Sequence, residues 1–216
     1  MTVTITQGAA PRGRLSKRTA FAAGLASSLI AALAGAAAAL PLAPLPAEMS
    51  LGNPRAPVTV VEYASLGCPH CAAWARDVFP AFKKTYVDTG KVRYVLKEML
   101  FGDSTVAAAG FMTARCAGPG KYFQVVDAIF DQQTQIEEGG VKEMLKIAQG
   151  AGLTEDQFTA CLKDPAALDA LQARTDGYVT KDKITGTPTF IVGTQRLEGD
   201  QTLAQLATAI DAAQHH

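Results

Sequence analysis

The stretch Val58-Thr59-Val60-Val61-Glu62-Tyr63-Ala64-Ser65-Leu66-Gly67-Cys68-Pro69-His70-Cys71 decides the fold. Val58 to Ala64 is a near-continuous apolar run, the pattern of a strand buried on both faces. A helix is predicted from Pro69 to about Asp88, because Cys71, Trp74, Ala75, Val78, Phe82 and Tyr86 recur at helical spacing and make a core face. Pro80 lies inside that pattern and is expected to kink it, and Gly90 ends it. Val92 to Leu96 reads as a second strand. Strand, helix, strand is a βαβ unit with parallel strands.

Outward from this unit the pattern changes. Residues 103–183 read as almost wholly helical, with segments at Asp103–Ala117, Lys121–Thr134, Glu138–Gln149, Thr154–Lys163 and Pro165–Asp182. Thr154 with Gln157 has the form of a capping box. Pro188–Val192 then reads as a strand, Gln195–Glu198 as a short hairpin partner and Thr202–Ala213 as a closing helix. The chain therefore leaves its sheet for a helical block and returns to it.

Cys68 and Cys71 stand three residues apart at the start of a helix, which puts both sulfurs on one face and within bonding reach. Pro69 occupies the first helical position, where its missing N–H costs nothing. Cys68 then lies at the positive helix end beside free N–H groups, which favour thiolate over thiol. His70 adds a further donor to stabilise that thiolate. Cys71, one turn in, is expected to be more buried. Cys68 is thus the nucleophile and Cys71 the resolving thiol. The competing reading of C-x-x-C is half of a zinc site, but Cys116 and Cys161 form no second knuckle and His215 and His216 sit at the terminus, so no metal is expected.

Gly186-Thr187-Pro188-Thr189-Phe190 is the second feature. A proline is acceptable at a strand start, which is the simple reading. In a thioredoxin-like fold Pro188 would be cis and face the cysteines, offering the Thr187 backbone to a substrate peptide. Glu62 is an acid inside an apolar strand. It is either a partly exposed strand end or a buried carboxylate that relays a proton to Cys71, with Lys97 on the neighbouring strand as a candidate partner. Trp74 is expected to pack in the core.

The 216 residues, 48% of them apolar, suffice for one good core or for one domain carrying an insertion. The formal charge of zero hides an asymmetry: residues 1–39 hold Arg12, Arg14, Lys17 and Arg18 and no acid. Beyond them 16 basic residues face 20 acidic ones, a net charge of −4, which is no footprint for nucleic acid. The basic stretch, the apolar run Ala20–Leu40 and the small residues Ala37 and Ala39 form an export-signal pattern, with cleavage expected near Ala39. Ser16-Lys17-Arg18-Thr19-Ala20-Phe21 loosely resembles a twin-arginine signal, with Lys17 in place of the first arginine, and about 21 apolar residues also allow an uncleaved anchor. Either route places the body in an oxidising compartment. Five prolines within residues 40–57 indicate an extended linker and no regular element.

Leu51-Gly52-Asn53-Pro54, Val60-Val61-Glu62-Tyr63, Cys68-Pro69-His70-Cys71 and Gly186-Thr187-Pro188-Thr189-Phe190 together resemble the DsbA family of bacterial thiol–disulfide oxidoreductases, from about Leu51 to the C-terminus. The resemblance implies an α/β thioredoxin fold with an inserted all-helical domain. The organisation is then an export signal at 1–39, a linker at 40–56, a thioredoxin-like domain at 57–102 and 184–216, and the insertion at 103–183. It also implies a periplasmic monomer that oxidises cysteines in newly exported proteins, needs no cofactor beyond its own Cys68–Cys71 disulfide, and is reoxidised by a DsbB-like membrane protein. Thr187 departs from the valine of the enterobacterial pattern, and Cys116 and Cys161 form an extra pair. A bridge between those two, as in some alphaproteobacterial-type relatives, would close a loop of about 45 residues, and two buried free thiols are the alternative. An isomerase or reductase of the same fold, and a peptide-binding protein with an incidental cysteine pair, are the competing functions.

Overall fold

β2 (Val58–Ala64) is the middle strand of a five-stranded sheet whose strands lie in the order Met49–Leu51, Val92–Glu98, β2, Thr189–Val192 and Gln195–Glu198. The computed structural model describes residues 48–215, so the export-signal reading of 1–39 lies outside the described residues. β2 pairs parallel with β3 (Val92–Glu98), in register Val60 to Tyr94, Glu62 to Leu96 and Tyr63 to Lys97. On its other side it pairs antiparallel with β4 (Thr189–Val192), which pairs with β5 (Gln195–Glu198). The βαβ unit expected from the apolar runs is therefore present.

The expected linker at 40–56 contains a strand. Met49–Leu51 forms β1, an edge strand antiparallel to β3, with Met49 buried. The prolines on either side, Pro46 and Pro54, leave a window with its N–H groups intact, and the strand sits in that window. It stops at Gly52, whose φ of +88° turns the chain where a Cβ would stand 2.7 Å from the Val92 carbonyl oxygen.

The helix after the cysteines breaks as expected near Pro80. α1 (Pro69–Asp77) ends at Val78, α2 (Phe79–Phe82) restarts with Pro80 in its first turn, and Lys83–Val87 continues as a wider π-turn closed by Asp88 N–H on the Lys83 carbonyl. A proline at position 80 clashes with the carbonyl four residues back, so the break falls between Asp77 and Phe79.

Between β3 and β4 lie α3 (Ser104–Cys116), α4 (Tyr122–Asp131), α5 (Gln133–Gly139), α6 (Val141–Gly150), α7 (Glu155–Leu162) and α8 (Pro165–Thr180). The expected capping box at Thr154 and Gln157 is formed. α5 is an element that the sequence pattern does not show, and the boundary expected at Glu138 falls at Val141 because Gly140 adopts φ +60° and stops the preceding helix. α9 (Leu203–Gln214) closes the chain behind a second capping box at Thr202 and Gln205.

The core joins both parts of the chain through Phe82, Phe111, Tyr122, Phe158 and Phe190, all essentially inaccessible. Beside it sits a buried charge. The Glu98 carboxylate, at the end of β3, receives Arg115 at 2.7 Å, Arg174 at 2.7 Å and the Tyr122 hydroxyl at 2.9 Å. With partners from α3, α8 and α4, that carboxylate pins the end of β3 to three helices.

Candidate active site

Cys68 is the N-cap of α1, with extended backbone, and Pro69 takes the first helical position. The residues before it form a tight loop. Cys68 N–H donates to the Ser65 carbonyl, and the Ser65 hydroxyl bonds the Phe101 carbonyl. Asp103 N–H donates to the Gly67 carbonyl at 3.0 Å. A Cβ on Gly67 would lie 2.1 Å from the Asp103 carbonyl oxygen, so this loop crosses residues 102–103 backbone on backbone. Gln133 of α5 reaches the Leu66 carbonyl at 2.8 Å. The cysteine loop is therefore held from both the sheet and the helical segment.

Cys68 and Cys71 are both free thiols, and Cys71 is the more deeply buried, as expected. The Cys68 thiol is pulled down to about 5. The leading cause is donation by the Cys71 S–H to its sulfur, which outweighs the burial that opposes ionisation; the Thr187 side chain and the backbone N–H groups of Cys71 and His70 assist. Cys71 moves the other way. Burial, its hydrogen bond to Cys68 and the negative charges of Glu62 and Cys68 raise it well above an ordinary thiol. One sulfur is prepared as thiolate and the other as thiol. The helix-end donors read from the sequence contribute, but the neighbouring thiol leads.

The His70 ring is exposed and its Nδ1 faces Asp200 Oδ2 at 2.9 Å. The donor His70 gives the Cys68 sulfur is its backbone N–H, while ring and thiolate interact by charge.

The Thr187–Pro188 peptide is cis and faces the cysteines. The Thr187 carbonyl oxygen lies 3.3 Å from the Cys68 sulfur and accepts its S–H in the thiol form. β4 starts one residue later than expected, at Thr189, since Pro188 has no N–H to give the ladder.

Glu62 is buried, not a strand end, and carries its carboxyl toward the cysteines. Desolvation raises it to about 8; the Tyr94 hydroxyl, which donates to it, works against the rise, and a Cys68 charge adds to it. Lys97 does not pair with Glu62. Neighbouring residues of a strand point to opposite faces, and Lys97 is in register with Tyr63. It donates to the Tyr63 hydroxyl at 2.9 Å and meets Asp182 at 3.1 Å on the other face. Trp74 packs in the core as expected, 4.7 Å from the Phe190 ring, with its indole N–H on the Gln201 carbonyl. Cys116 and Cys161 are disulfide-bonded to each other. Among the described residues no group of three or more His, Cys, Asp or Glu side chains could hold a metal ion.

Sequence reasoning missed Tyr94, Asp200, Gln133 and the two glycines, Gly67 and Gly102. Tyr94 was findable, since a parallel register places it on the face of Glu62. Asp200 and Gln133 carry no local signal, because their partners lie far away in the chain.

The chain matches the family model described as thioredoxin over residues 45–212. It belongs to the thioredoxin family. A Rickettsia felis protein named as a protein-disulfide oxidoreductase is 35% identical to this thioredoxin-family chain over 170 residues, covering 77% of it and 60% of the relative. The counterpart in Rickettsia typhi is 34% identical over 169 residues, covering 77% and 62%. The chain thus spans about three fifths of the length of these curated relatives. Among solved structures, Wolbachia pipientis alpha-DsbA1 superposes with a TM-score of 0.72 at 28% identity, covering 81% of this chain and 94% of that one. A protein-disulfide isomerase from Novosphingobium aromaticivorans gives a TM-score of 0.66 at 22% identity, covering 79% and 98%, a likeness of fold alone. The DsbA resemblance and the thioredoxin fold expected from the sequence both hold.

Proposed function

We propose that this thioredoxin-family chain is a thiol–disulfide oxidoreductase that introduces disulfide bonds into exported proteins through Cys68 and Cys71. The observation that carries the reading is the division of labour between the two sulfurs: Cys68 lowered to about 5 at a helix start, Cys71 buried and raised. A low thiol pKa makes Cys68 a good leaving group and stabilises the reduced form, which favours passing the disulfide on.

In the oxidised protein a substrate thiolate attacks the Cys68 sulfur and the Cys68–Cys71 bond breaks. Cys71 leaves with the electron pair and takes a proton from Glu62, whose carboxyl is protonated at neutral pH. A second substrate thiol loses its proton to solvent and attacks the substrate sulfur of the mixed disulfide, and Cys68 departs as thiolate. Glu62 is reprotonated from solvent. From one substrate thiolate and one substrate thiol, the balance is one substrate disulfide formed and one protein disulfide reduced to a thiolate and a thiol, with no net proton released: the proton lost by the second thiol matches the one that restores Glu62. Thr187 and Pro188 border the attacked sulfur and offer the Thr187 backbone to the substrate chain.

The basic-then-apolar pattern of residues 1–39 supports a site of action in the periplasm, where a quinone-linked DsbB-like membrane protein would restore the disulfide. Refolding of a reduced multi-cysteine substrate by the oxidised protein tests the activity. The wild type is expected to form disulfides stoichiometrically, and Cys68→Ala to form none above background; an unchanged rate in that variant rejects the reading. The equilibrium with glutathione separates an oxidase from a reductase of the same fold, since a strongly reducing pair would not donate its disulfide.

A further inference from the structure

The dipeptide between the cysteines is tied to a part of the chain 130 residues away. His70 Nδ1 and Asp200 Oδ2 stand 2.9 Å apart. Asp200 lies in the turn between β5 and α9, and both of its chain neighbours are anchored. Gly199 N–H donates to the Pro188 carbonyl at 2.9 Å, which ties the turn to the loop facing the cysteines. The Gln201 carbonyl accepts the Trp74 indole N–H at 3.0 Å, and its amide bonds the Glu198 and Gly199 carbonyls, which ties the turn to α1 and to itself. The carboxylate is thus delivered by a turn pinned on both sides, although the two side chains are exposed.

We propose that Asp200 is a positioning residue for thiol exchange: it holds the His70 ring by Nδ1 and keeps a cation beside the Cys68 sulfur. This rests on the reading of Cys68 and Cys71 as the exchanging pair. A carboxylate on Nδ1 fixes the neutral tautomer with its proton there, so the second proton is gained and lost at Nε2. The groups that raise the His70 titration are Asp200, first, and then Cys68; slight desolvation opposes them. The two acids act at different times. Cys68 is an anion in the reduced protein and part of a neutral disulfide in the oxidised one, whereas Asp200 is present in both.

That difference has a chemical consequence. Two glutathione thiols reduce the Cys68–Cys71 disulfide to a Cys68 thiolate and a Cys71 thiol, forming one glutathione disulfide and freeing one proton. Where His70 is already cationic, that proton goes to solvent. Where His70 is neutral in the oxidised protein and charged in the reduced one, it takes the proton, no net proton is released, and the equilibrium becomes flatter in pH. Asp200 moves that window upward, so the cation is in place before reduction begins.

Ring titrations of His70 by NMR, in the oxidised and reduced proteins, test this in wild type, Asp200→Asn and Asp200→Glu, with His70→Gln assigning the resonance. The His70 midpoint is expected to fall in Asp200→Asn in both redox states and to be retained in Asp200→Glu. The glutathione equilibrium supplies the second readout. In mild acid, where His70 is charged with or without its partner, Asp200→Asn removes an anion near the thiolate and shifts the equilibrium toward the reduced form. In mild alkali the variant loses its cation and shifts toward the oxidised form, by about two- to fivefold, the range an exposed ion pair supports. A merely structural role produces no such reversal. An unchanged His70 midpoint in Asp200→Asn, or shifts of the same direction at both pH values, overturns the proposal. If the cysteine pair does not equilibrate with glutathione at all, the reading of the pair fails, and the ring titration of the reduced protein still decides the role of Asp200.

Discussion

The Tyr94 hydroxyl on β3 donates to the Glu62 carboxyl on β2, and both side chains are shut away from water. Desolvation still wins, and Glu62 holds its proton to about pH 8 in the folded protein against an ordinary value of 4.5. The folded state therefore binds the extra proton between those values, and Glu62 makes stability fall as pH rises through that window. Cys68 acts in the opposite sense: its folded value of about 5 lies below the ordinary 9.0, so the unfolded chain binds the extra proton and stability rises with pH between them. The two slopes oppose each other in the reduced wild type. Urea unfolding of the reduced protein across this range should show Glu62→Gln gaining stability with pH and exceeding wild type at pH 8 by on the order of 3 kcal/mol. Cys68→Ala should show the reverse, a decline. A parallel pH dependence in all three proteins would contradict this account.

Thr187 departs from the valine of the enterobacterial pattern, and its side chain helps hold the Cys68 thiol down. Thr187→Val is expected to move the Cys68 titration upward, read from the pH dependence of alkylation of the reduced protein. At acid pH, where the thiolate fraction sets the rate, alkylation should slow by about two- to tenfold, the loss expected for one net hydrogen bond of about 0.5–1.5 kcal/mol. An unmoved midpoint would leave the departure from valine without a chemical effect on Cys68.

Gly67 and Gly102 cross so closely that a Cβ on either would lie 2.1 Å from a backbone carbonyl oxygen of the opposing segment. Gly67→Ala must push this crossing apart and with it the backbone of Cys68. A stability loss of about 2 kcal/mol or more is expected in urea unfolding, with the Cys68 titration shifted as its hydrogen bonds lengthen. Gly118→Ala is a useful contrast, because a Cβ added there would meet nothing within 4 Å; the positive φ alone should cost about 1 kcal/mol and Cys68 should titrate as before.

The Cys116–Cys161 bridge joins α3 to α7 across 45 residues of sequence. Replacing both by serine removes a constraint on the unfolded chain and leaves a hydroxyl in the buried position of Cys161. The expected loss is about 2–4 kcal/mol in urea unfolding. The Cys68 titration should not change, since no part of the bridge is among the groups that shift it.

Much of the fold was legible because its signals are local. The apolar run at Val58–Ala64, the cysteines at one helical turn, Pro80 and the capping pair Thr154 and Gln157 each act within a few residues, so spacing and residue type suffice to read them. β1 escaped because three residues between prolines are too short to show a period. α5 escaped because a glycine with positive φ, Gly140, reset the helix boundary, and only the conformation reveals that.

The feature that opened the sequence, Cys68-Pro69-His70-Cys71, divides along the same line. The sequence by itself picked out the two sulfurs, because helix geometry places Cys68 at the helix N-terminus and Cys71 one turn further in. The tertiary structure decided how those atoms are tuned. Whether Glu62 is buried, which face Lys97 takes, that Thr187 reaches the Cys68 sulfur and that Asp200 holds His70 all depend on contacts between residues far apart in the chain. Desolvation and Coulomb interactions act through space, and spacing along the backbone carries no record of them.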